Sequence, residues 1–309
     1  MANYEEMDFR KFTGRSETDK AINTLKGILL GINLDGKINA LEIRELQGWC
    51  KEHGEMVNRH PFTELVSLIQ EGTSSGLEGV DWIEDLLYLC NQTGEGSLYY
   101  DMATADLQTL QGMCHGILSD GQVDDTEVNS LREWLDEHEH LAKYYPYDEI
   151  HSLVLCVLSD GIIDDKERLR LKAHFNQFVK LSDSELTEKI AFDTASIKIE
   201  GICTANPEID FDGKTFCLTG LFDRGTRKEA EAAVADMGGI VTKDVSKKTD
   251  YLIVGQGGSP CWSFEAFGRK VQKAQTYRRE GSKVSIIAEY DFWDILEGAQ
   301  CANKVNANQ

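Results

Sequence analysis

Four residues in the last third of the chain have the chemistry and the spacing of a phosphate-binding site. Thr219 and Gly220 end a short apolar run that predicts a β-strand, and Arg227 opens the next predicted helix. A hydroxyl and a glycine amide donate hydrogen bonds to phosphate oxygens, and a guanidinium adds two parallel ones. We therefore predict a phosphate site here, completed by the point charge of Lys270 on a later helix. Lys273, one turn further on, is the alternative if the helix register differs.

Short strands and helices alternate around these residues. The pattern predicts strands at 214–218, 240–242, 251–254 and 284–287, and helices at 227–236, 263–279 and 290–296. This β-α-β-β-α-β-α order is typical of a small parallel sheet covered by helices. Open sheets of this kind bind ligands at the carboxyl ends of their strands, where Thr219 lies.

Several spaced motifs in this region resemble those of BRCT domains. They are Phe216-Cys-Leu-Thr-Gly220, the pair Gly238-Gly239, residues 245–255, Gly268-Arg-Lys-Val-Gln-Lys-Ala274 and Trp293. The resemblance is nearest to the subgroup found in bacterial NAD-dependent DNA ligases and in the large subunit of replication factor C. It implies a four-stranded parallel sheet with Trp293 in the core. Residues 277–280 look like an insertion before the last strand.

The resemblance also implies a partner for the predicted site. In the related BRCT domains that bind DNA ends, the phosphate ligands occupy the positions of Thr219, Gly220, Arg227 and Lys270. A DNA 5′-phosphate end is the expected partner, ahead of a phosphoprotein, because no second BRCT copy offers a tandem groove. A tight turn with solvated basic side chains remains the structural alternative. A scaffold of the stress response that binds proteins without phosphate is the alternative function.

A second pattern recurs three times in the first two thirds of the chain. It reads Asp-Gly-x-Ile/Val-x-x-x-Glu and begins at Asp35, Asp120 and Asp160. Its glycine suits a turn with positive φ, and an Asn or Asp three residues before the Glu suits a capping box that opens a helix. Apolar residues at intervals of three and four on both sides predict a helical hairpin around each turn.

The acidic residues of these turns suggest metal binding as a second function. The sequence argues against a calcium EF-hand, because its first ligand position falls on Gly31, Gly116 and Cys156. The hairpins over residues 18–180 resemble tellurite-resistance TerB-like helical domains, which implies an all-α bundle and a metal-binding sensor as an alternative function. Turn formation and capping explain the same residues and are favoured. The candidate metal ligands are Asp120, Asp124, Asp160 and Asp164.

Charge is distributed unevenly along the chain. Residues 211–309 contain 14 basic and 13 acidic side chains, a net charge of +1, whereas residues 1–210 carry −22. We therefore predict a multidomain protein with an all-α TerB-like domain at 1–185, a linker at 186–209, an α/β BRCT domain at 210–300 and a tail at 301–309. The acidity argues against nonspecific coating of DNA. It leaves the helical domain available to protein partners.

Composition and motifs exclude several classes of protein. No apolar run approaches the length of a membrane helix, and the acidic N-terminus is unlike a signal peptide. The eight cysteines form no C-x-x-C pair, which favours reduced, buried thiols. No nucleophile or nucleotide motif stands in its required context. The expectation is a cytoplasmic protein without membrane contact, cofactor or catalytic site.

Overall fold

A computed structural model describes the chain at residues 4–54, 62–75, 80–94, 100–197, 203–255 and 268–306. The chain divides into two units. The helical unit comprises Met1–His140 and Val157–Lys198, and the sheet unit comprises Leu141–Cys156 and Ile199–Gln309. The sheet unit thus takes in residues 141–156, which lie inside the stretch predicted as the helical domain.

Helices make up the regular structure described in the helical unit, as predicted. They are α1 (Tyr4–Ile32), α2 (Ala40–Glu52), α3 (Phe62–Ser75), α4 (Val80–Gly94), α5 (Met102–Leu118), α6 (Asp125–Glu137), α8 (Asp165–Phe175) and α9 (Ser184–Asp193). A short 3-10 turn at Glu139–Leu141 leads into the sheet unit. Between α6 and α8, α7 (Tyr147–Val157) falls in the sheet unit apart from its last residue. None of the helices described has the length and apolarity to cross a membrane.

Helix α9 occupies part of the stretch predicted as a linker. Its N-cap is Asp183, whose side chain accepts a hydrogen bond from the Leu186 amide at 3.0 Å. Ile190 is the residue that this helix buries. A helix that buries so little has weak apolar periodicity, so the sequence pattern did not indicate it.

All three Asp-Gly turns have the predicted local structure. The glycines at 36, 121 and 161 have φ of 69°, 74° and 78°, a region that side chains disfavour. Capping boxes then open α2, α6 and α8, each pairing an Asn or Asp with a Glu three residues later. The turn aspartates also accept a backbone amide two residues on, as Asp120 does from Gln122 at 2.7 Å. Capping and turn hydrogen bonds therefore explain why the same polar residues and glycine recur in all three turns.

Helices α1 and α5 touch through their backbones. A Cβ atom at Gly27 would lie 2.7 Å from the Cα of Gly112, and one at Gly31 would lie 2.9 Å from the Cα of Gly116. Two glycines spaced four residues apart on each helix thus face each other, because that spacing keeps them on one face. These glycines therefore allow the close approach of the two helices.

Two capping glutamates are buried beside the acidic turns. Burial raises the pKa of Glu127 to about 8, and the hydrogen bond from the Asp124 amide offsets only part of this. Burial likewise raises the pKa of Glu42 to about 7. Asp35 and Asp120 raise the pKa of both glutamates further. These carboxyl groups therefore hold their protons to a higher pH in the folded unit than an exposed glutamate does.

The raised pKa of Glu127 predicts a pH dependence of stability. The folded state holds this proton more tightly than the unfolded state, so the stabilisation is complete below about pH 4.5 and is lost as pH rises through about 8. Glu127→Gln keeps the capping acceptor and removes the titration. We expect the variant to lose less stability between pH 5 and 9 than the wild type, by roughly 1–3 kcal/mol.

Thermal and denaturant unfolding across this pH range measures the difference. Glu167→Gln is the matched control, because Glu167 forms the same capping box but is half-buried. This control reports what the same change from Glu to Gln does to a capping box that is only half-buried. Superimposable profiles for Glu127→Gln and the wild type would contradict the prediction.

The sheet unit contains four parallel strands in the order β2-β1-β3-β4. Besides α7, its strands and helices are β1 (Thr215–Thr219), α10 (Arg227–Asp236), β2 (Ile240–Thr242), β3 (Tyr251–Val254), α11 (Gly268–Arg279), β4 (Ser285–Ala288) and α12 (Glu289–Asn306). The predicted order of elements and the parallel four-stranded sheet are confirmed. Residues 263–267, where the sequence predicted the start of α11, lie outside the described residues.

Alternate residues of the strands build a core on each face of the sheet. On one face Cys217, Leu252 and Ile286 pack with Val271 and Ala274 of α11. The opposite face carries Phe216, Leu218, Tyr251, Ile253 and Ile287, with α10 and α12 packed on it. Helix α11 and the pair α10 and α12 thus cover opposite faces, as parallel strands require.

Arg278 is buried in the sheet unit. Its guanidinium bonds to both Asp148 and Glu149 of α7, and Nη1 donates to the Val284 carbonyl at 2.7 Å. The side chains of this ion cluster are 2% to 6% exposed. Helix α11 ends at Arg279, as predicted, and its last turn supplies the cation that neutralises the two carboxylates of α7.

Candidate phosphate-binding site

The strand order puts β1 at the centre of the sheet, where the chain changes direction. The chain leaves β1 for β2 on one side and returns to β3 on the other. Parallel sheets open a crevice at such a reversal, beyond the carboxyl ends of the strands. Thr219 is the last residue of β1, paired in register with Val254 of β3, so it lies at the edge of this crevice.

Thr219 and Gly220 form the turn at this strand end. The Thr219 carbonyl accepts a hydrogen bond from the Gly255 amide at 2.8 Å, which fixes the backbone. The Thr219 side chain is largely buried, and its hydroxyl bonds to none of the residues that the structure describes. Gly220 has φ of 84°, a conformation in which glycine is strongly preferred. The backbone of the turn is therefore fixed.

Lys270 reaches the same strand from α11. Its Nζ donates to the Leu218 carbonyl at 3.1 Å, next to Thr219. Burial raises the pKa of the Cys217 thiol, and the positive charges of Lys270 and Arg227 both oppose this rise. Lys273, the alternative, instead pairs with Asp244 at 2.9 Å. The predicted lysine is thus the one beside the end of β1.

Arg227 is the first residue of α10, which packs on the face of the sheet opposite to α11 and Lys270. Thr226 caps the helix in a capping box with Glu229, so the helix begins at Arg227 as predicted. The Arg227 side chain is 42% exposed, and its Nε donates to Glu231 at 2.9 Å. Exposed pairs of this kind contribute only about 0.3–0.5 kcal/mol. A phosphate would therefore displace Glu231 at small cost.

The loop 221–226 joins the two halves of the site and is tied to α12. Both oxygens of Glu289 accept backbone amides of the loop, from Asp223 at 2.9 Å and Arg224 at 2.8 Å. A Cβ atom at Gly225 would lie 2.9 Å from the Trp293 ring, which therefore packs against the loop. Sequence reasoning missed Glu289, because its partners are backbone amides that leave no residue pattern.

Comparison with known proteins identifies the fold around this site. Residues 206–278 match the family model of the BRCA1 C Terminus (BRCT) domain. The C-terminal part of the chain is a BRCT domain. The sequence motifs that led to the same family, from Phe216 to Trp293, all lie within the sheet unit.

Proteins named DNA ligase share sequence with this chain. One from Thermoanaerobacter sp. (strain X514) is 34% identical over 121 residues, which are 39% of this chain and 16% of that protein. One from Fervidobacterium nodosum is 29% identical over 157 residues, 50% of this chain and 20% of that protein. One from Acetivibrio thermocellus is 45% identical over 87 residues, 28% of this chain and 11% of that protein. The chain thus spans a fifth or less of these relatives.

The four aspartates considered as metal ligands lie outside the BRCT domain, in the turns of the hairpins. Asp124 and Asp164 accept the amides of their capping boxes, and Asp120 and Asp160 accept amides within their turns. Among the described residues, no group of three or more His, Cys, Asp or Glu side chains is arranged to hold a metal ion. The TerB-like resemblance and its metal site stay predictions.

The helical unit contains a cavity that sequence analysis did not predict. It has a volume of about 440 Å³ and is lined by residues that include Trp49, Gln111 and His115. His115 Nε2 bonds to the buried Glu45 at 2.7 Å. Burial acts to raise the pKa of Glu45, but the hydrogen bonds from His115 and from the Ser182 and Asp183 amides bring it below its usual value. The Glu45 carboxylate therefore accepts a hydrogen bond from His115 and orients its ring.

Proposed function

We propose that the BRCT domain is a non-catalytic module that binds a DNA end through its 5′ phosphate during replication or repair. The observation that carries the proposal is the position of Lys270, whose ammonium group lies beside the end of β1 next to Thr219 and Gly220. A hydroxyl, a glycine amide and an ammonium group at one strand end suit a phosphate dianion. Arg227 adds a second, more exposed cation.

Two further observations favour a nucleic acid over other phosphate carriers. The relatives are named DNA ligase, which supports a setting in DNA metabolism. The net charge of −22 over residues 1–210 repels the DNA backbone, so binding rests on a local site and a single phosphate rather than on a broad basic field. A phosphoprotein partner is the competing outcome of the test.

The test compares duplexes that differ only in 5′ phosphorylation. Fluorescence anisotropy with the full chain should give about tenfold tighter binding of the phosphorylated duplex, since a charge-assisted contact contributes about 1.5–3 kcal/mol. Lys270→Glu should abolish this preference, and Thr219→Ala and Arg227→Glu should reduce it. Lys228→Glu is the matched control, because Lys228 is an exposed cation next to Arg227 and should leave the preference intact.

Each outcome separates the candidates. Equal affinity of the wild-type protein for phosphorylated and hydroxyl ends would refute the proposal. Tighter binding of a phosphoserine peptide than of the phosphorylated duplex would move the partner to a phosphoprotein. Circular dichroism of each variant checks that the fold survives the substitution.

The strongly acidic helical unit favours a second role in holding a protein partner. Its charge is the observation behind this candidate, because an acidic surface steers basic partners toward it. In that case a partner protein would bind equally well before and after phosphatase treatment, and binding would weaken as salt is added. Binding lost on dephosphorylation would instead return the interaction to the BRCT domain.

A further inference from the structure

The two halves of the proposed phosphate site are joined by one short loop. Residues 221–226 run from the Thr219-Gly220 turn to Arg227, so the path of this loop sets the distance between the strand-end donors and the guanidinium. Ordering such a loop costs conformational entropy at every residue. A loop already fixed before the ligand arrives avoids that cost, which is the benefit of preorganisation.

The side chain of Glu289 binds this loop through its backbone amides. It is fully buried, and each of its two carboxylate oxygens accepts one loop amide, from Asp223 and from Arg224. As the first residue of α12, it also lies at a helix N-terminus, where a negative charge is stabilised. A buried carboxylate that accepts hydrogen bonds on both oxygens is a strong, directional anchor.

Two other contacts between the loop and α12 are weaker or less specific. The Arg224 side chain pairs with Asp294 and Glu297 of α12, but both carboxylates are more than half exposed. Trp293 packs against Gly225 without a hydrogen bond to it. These contacts restrain the loop from the side, whereas Glu289 fixes two consecutive amides.

We propose that Glu289 is a positioning residue of the phosphate site, which presets the loop so that Arg227 and the Thr219-Gly220 turn act on one phosphate. The inference rests on the proposed function. Glu289 itself does not contact the phosphate, since both of its oxygens are occupied by loop amides. Its contribution is to the geometry of groups that do.

Glu289→Gln in the full chain tests this role. Glutamine has nearly the same volume but carries one acceptor oxygen, so its NH2 group faces a loop amide that also donates. We expect the preference for the 5′-phosphorylated over the 5′-hydroxyl duplex to fall about tenfold. Amide hydrogen exchange should accelerate in peptides covering 221–226 and remain unchanged in β1 and β3. If Glu289 had a purely structural role, its substitution would accelerate amide exchange in the loop but leave the preference for the 5′-phosphorylated duplex unchanged.

Two further variants serve as a second perturbation of the loop and as a control. Gly225→Ala displaces the loop from the Trp293 side without touching the buried carboxylate, and we expect it to lower the phosphate preference as well. Glu297→Gln removes an exposed tether and should change the preference less than twofold. Gly225→Ala carries the test if Glu289→Gln does not fold.

The results distinguish this inference from the proposed function. If the wild type binds both duplexes equally, the proposed function and this inference fall together. If the wild type prefers the phosphorylated duplex and a folded Glu289→Gln or Gly225→Ala keeps the full preference, this inference alone is refuted. Loss of the preference together with faster loop exchange supports it.

Discussion

Replacing Arg278 by methionine is expected to destabilise the sheet unit by about 3–5 kcal/mol. The substitution leaves Asp148 and Glu149 buried without their cation, and it removes the donor to the Val284 carbonyl. Burial already raises the pKa of Asp148 despite the attraction of Arg278. Without that attraction, it costs more free energy to keep the Asp148 carboxylate ionised. Most of the effect comes from two uncompensated charges rather than from lost packing.

Hydrogen exchange on the full-length protein measures this effect unit by unit. Amides of β1 and β4 should exchange much faster in Arg278→Met, while those of α1 and α5 should stay protected. Arg279→Met is the control, because the neighbouring Arg279 is exposed and its loss should cost under about 1 kcal/mol. Adding Asp148→Asn and Glu149→Gln to Arg278→Met should recover much of the stability. Wild-type protection of β4 in Arg278→Met would contradict the account.

Replacing Gly112 by alanine is expected to destabilise the helical unit by about 3 kcal/mol, although alanine is the better helix former. The new methyl group would lie 2.2 Å from the Thr24 carbonyl oxygen and 2.8 Å from the Gly27 Cα. Both are backbone atoms of α1, so the helices must move apart and open the core around them. Strain of this kind exceeds the gain in helix propensity.

Thermal unfolding followed by circular dichroism tests the prediction, with hydrogen exchange of α1 and α5 to assign the change to the helical unit. Gly298→Ala is the matched control. Gly298 is also within a helix, but a Cβ atom there would meet nothing within 4 Å, so the substitution should be neutral or stabilise by up to about 1 kcal/mol. Equal effects of the two substitutions would show that the α1 and α5 backbones can separate without cost.

Local features of the fold were predictable because their causes lie within a few residues. The capping boxes at Asn39, Asp124 and Asp164 need only a side chain and the amide three residues later. The strands were predicted to within one residue, since buried parallel strands read as short apolar runs. The same order of elements placed Thr219 and Gly220 at the carboxyl end of the first strand, where the structure has them.

Contacts between distant parts of the chain were not predictable in this way. Arg278 and Glu149 are 129 residues apart, and nothing in either neighbourhood marks them as partners. The bond between His115 and Glu45 spans 70 residues. Glu289 binds backbone amides, which every residue except proline offers. Packing of whole elements decides these contacts, so they become visible only in three dimensions.

The sheet unit is discontinuous in sequence, and this has a consequence for its synthesis. The polypeptide passes into it at residue 141, leaves after residue 156 and returns after residue 198. A nascent chain therefore exposes Asp148 and Glu149 long before the ribosome has made their arginine, and must keep both carboxylates hydrated until residue 278 emerges. For the same reason, excising residues 199–309 would release the arginine without its counter-ions.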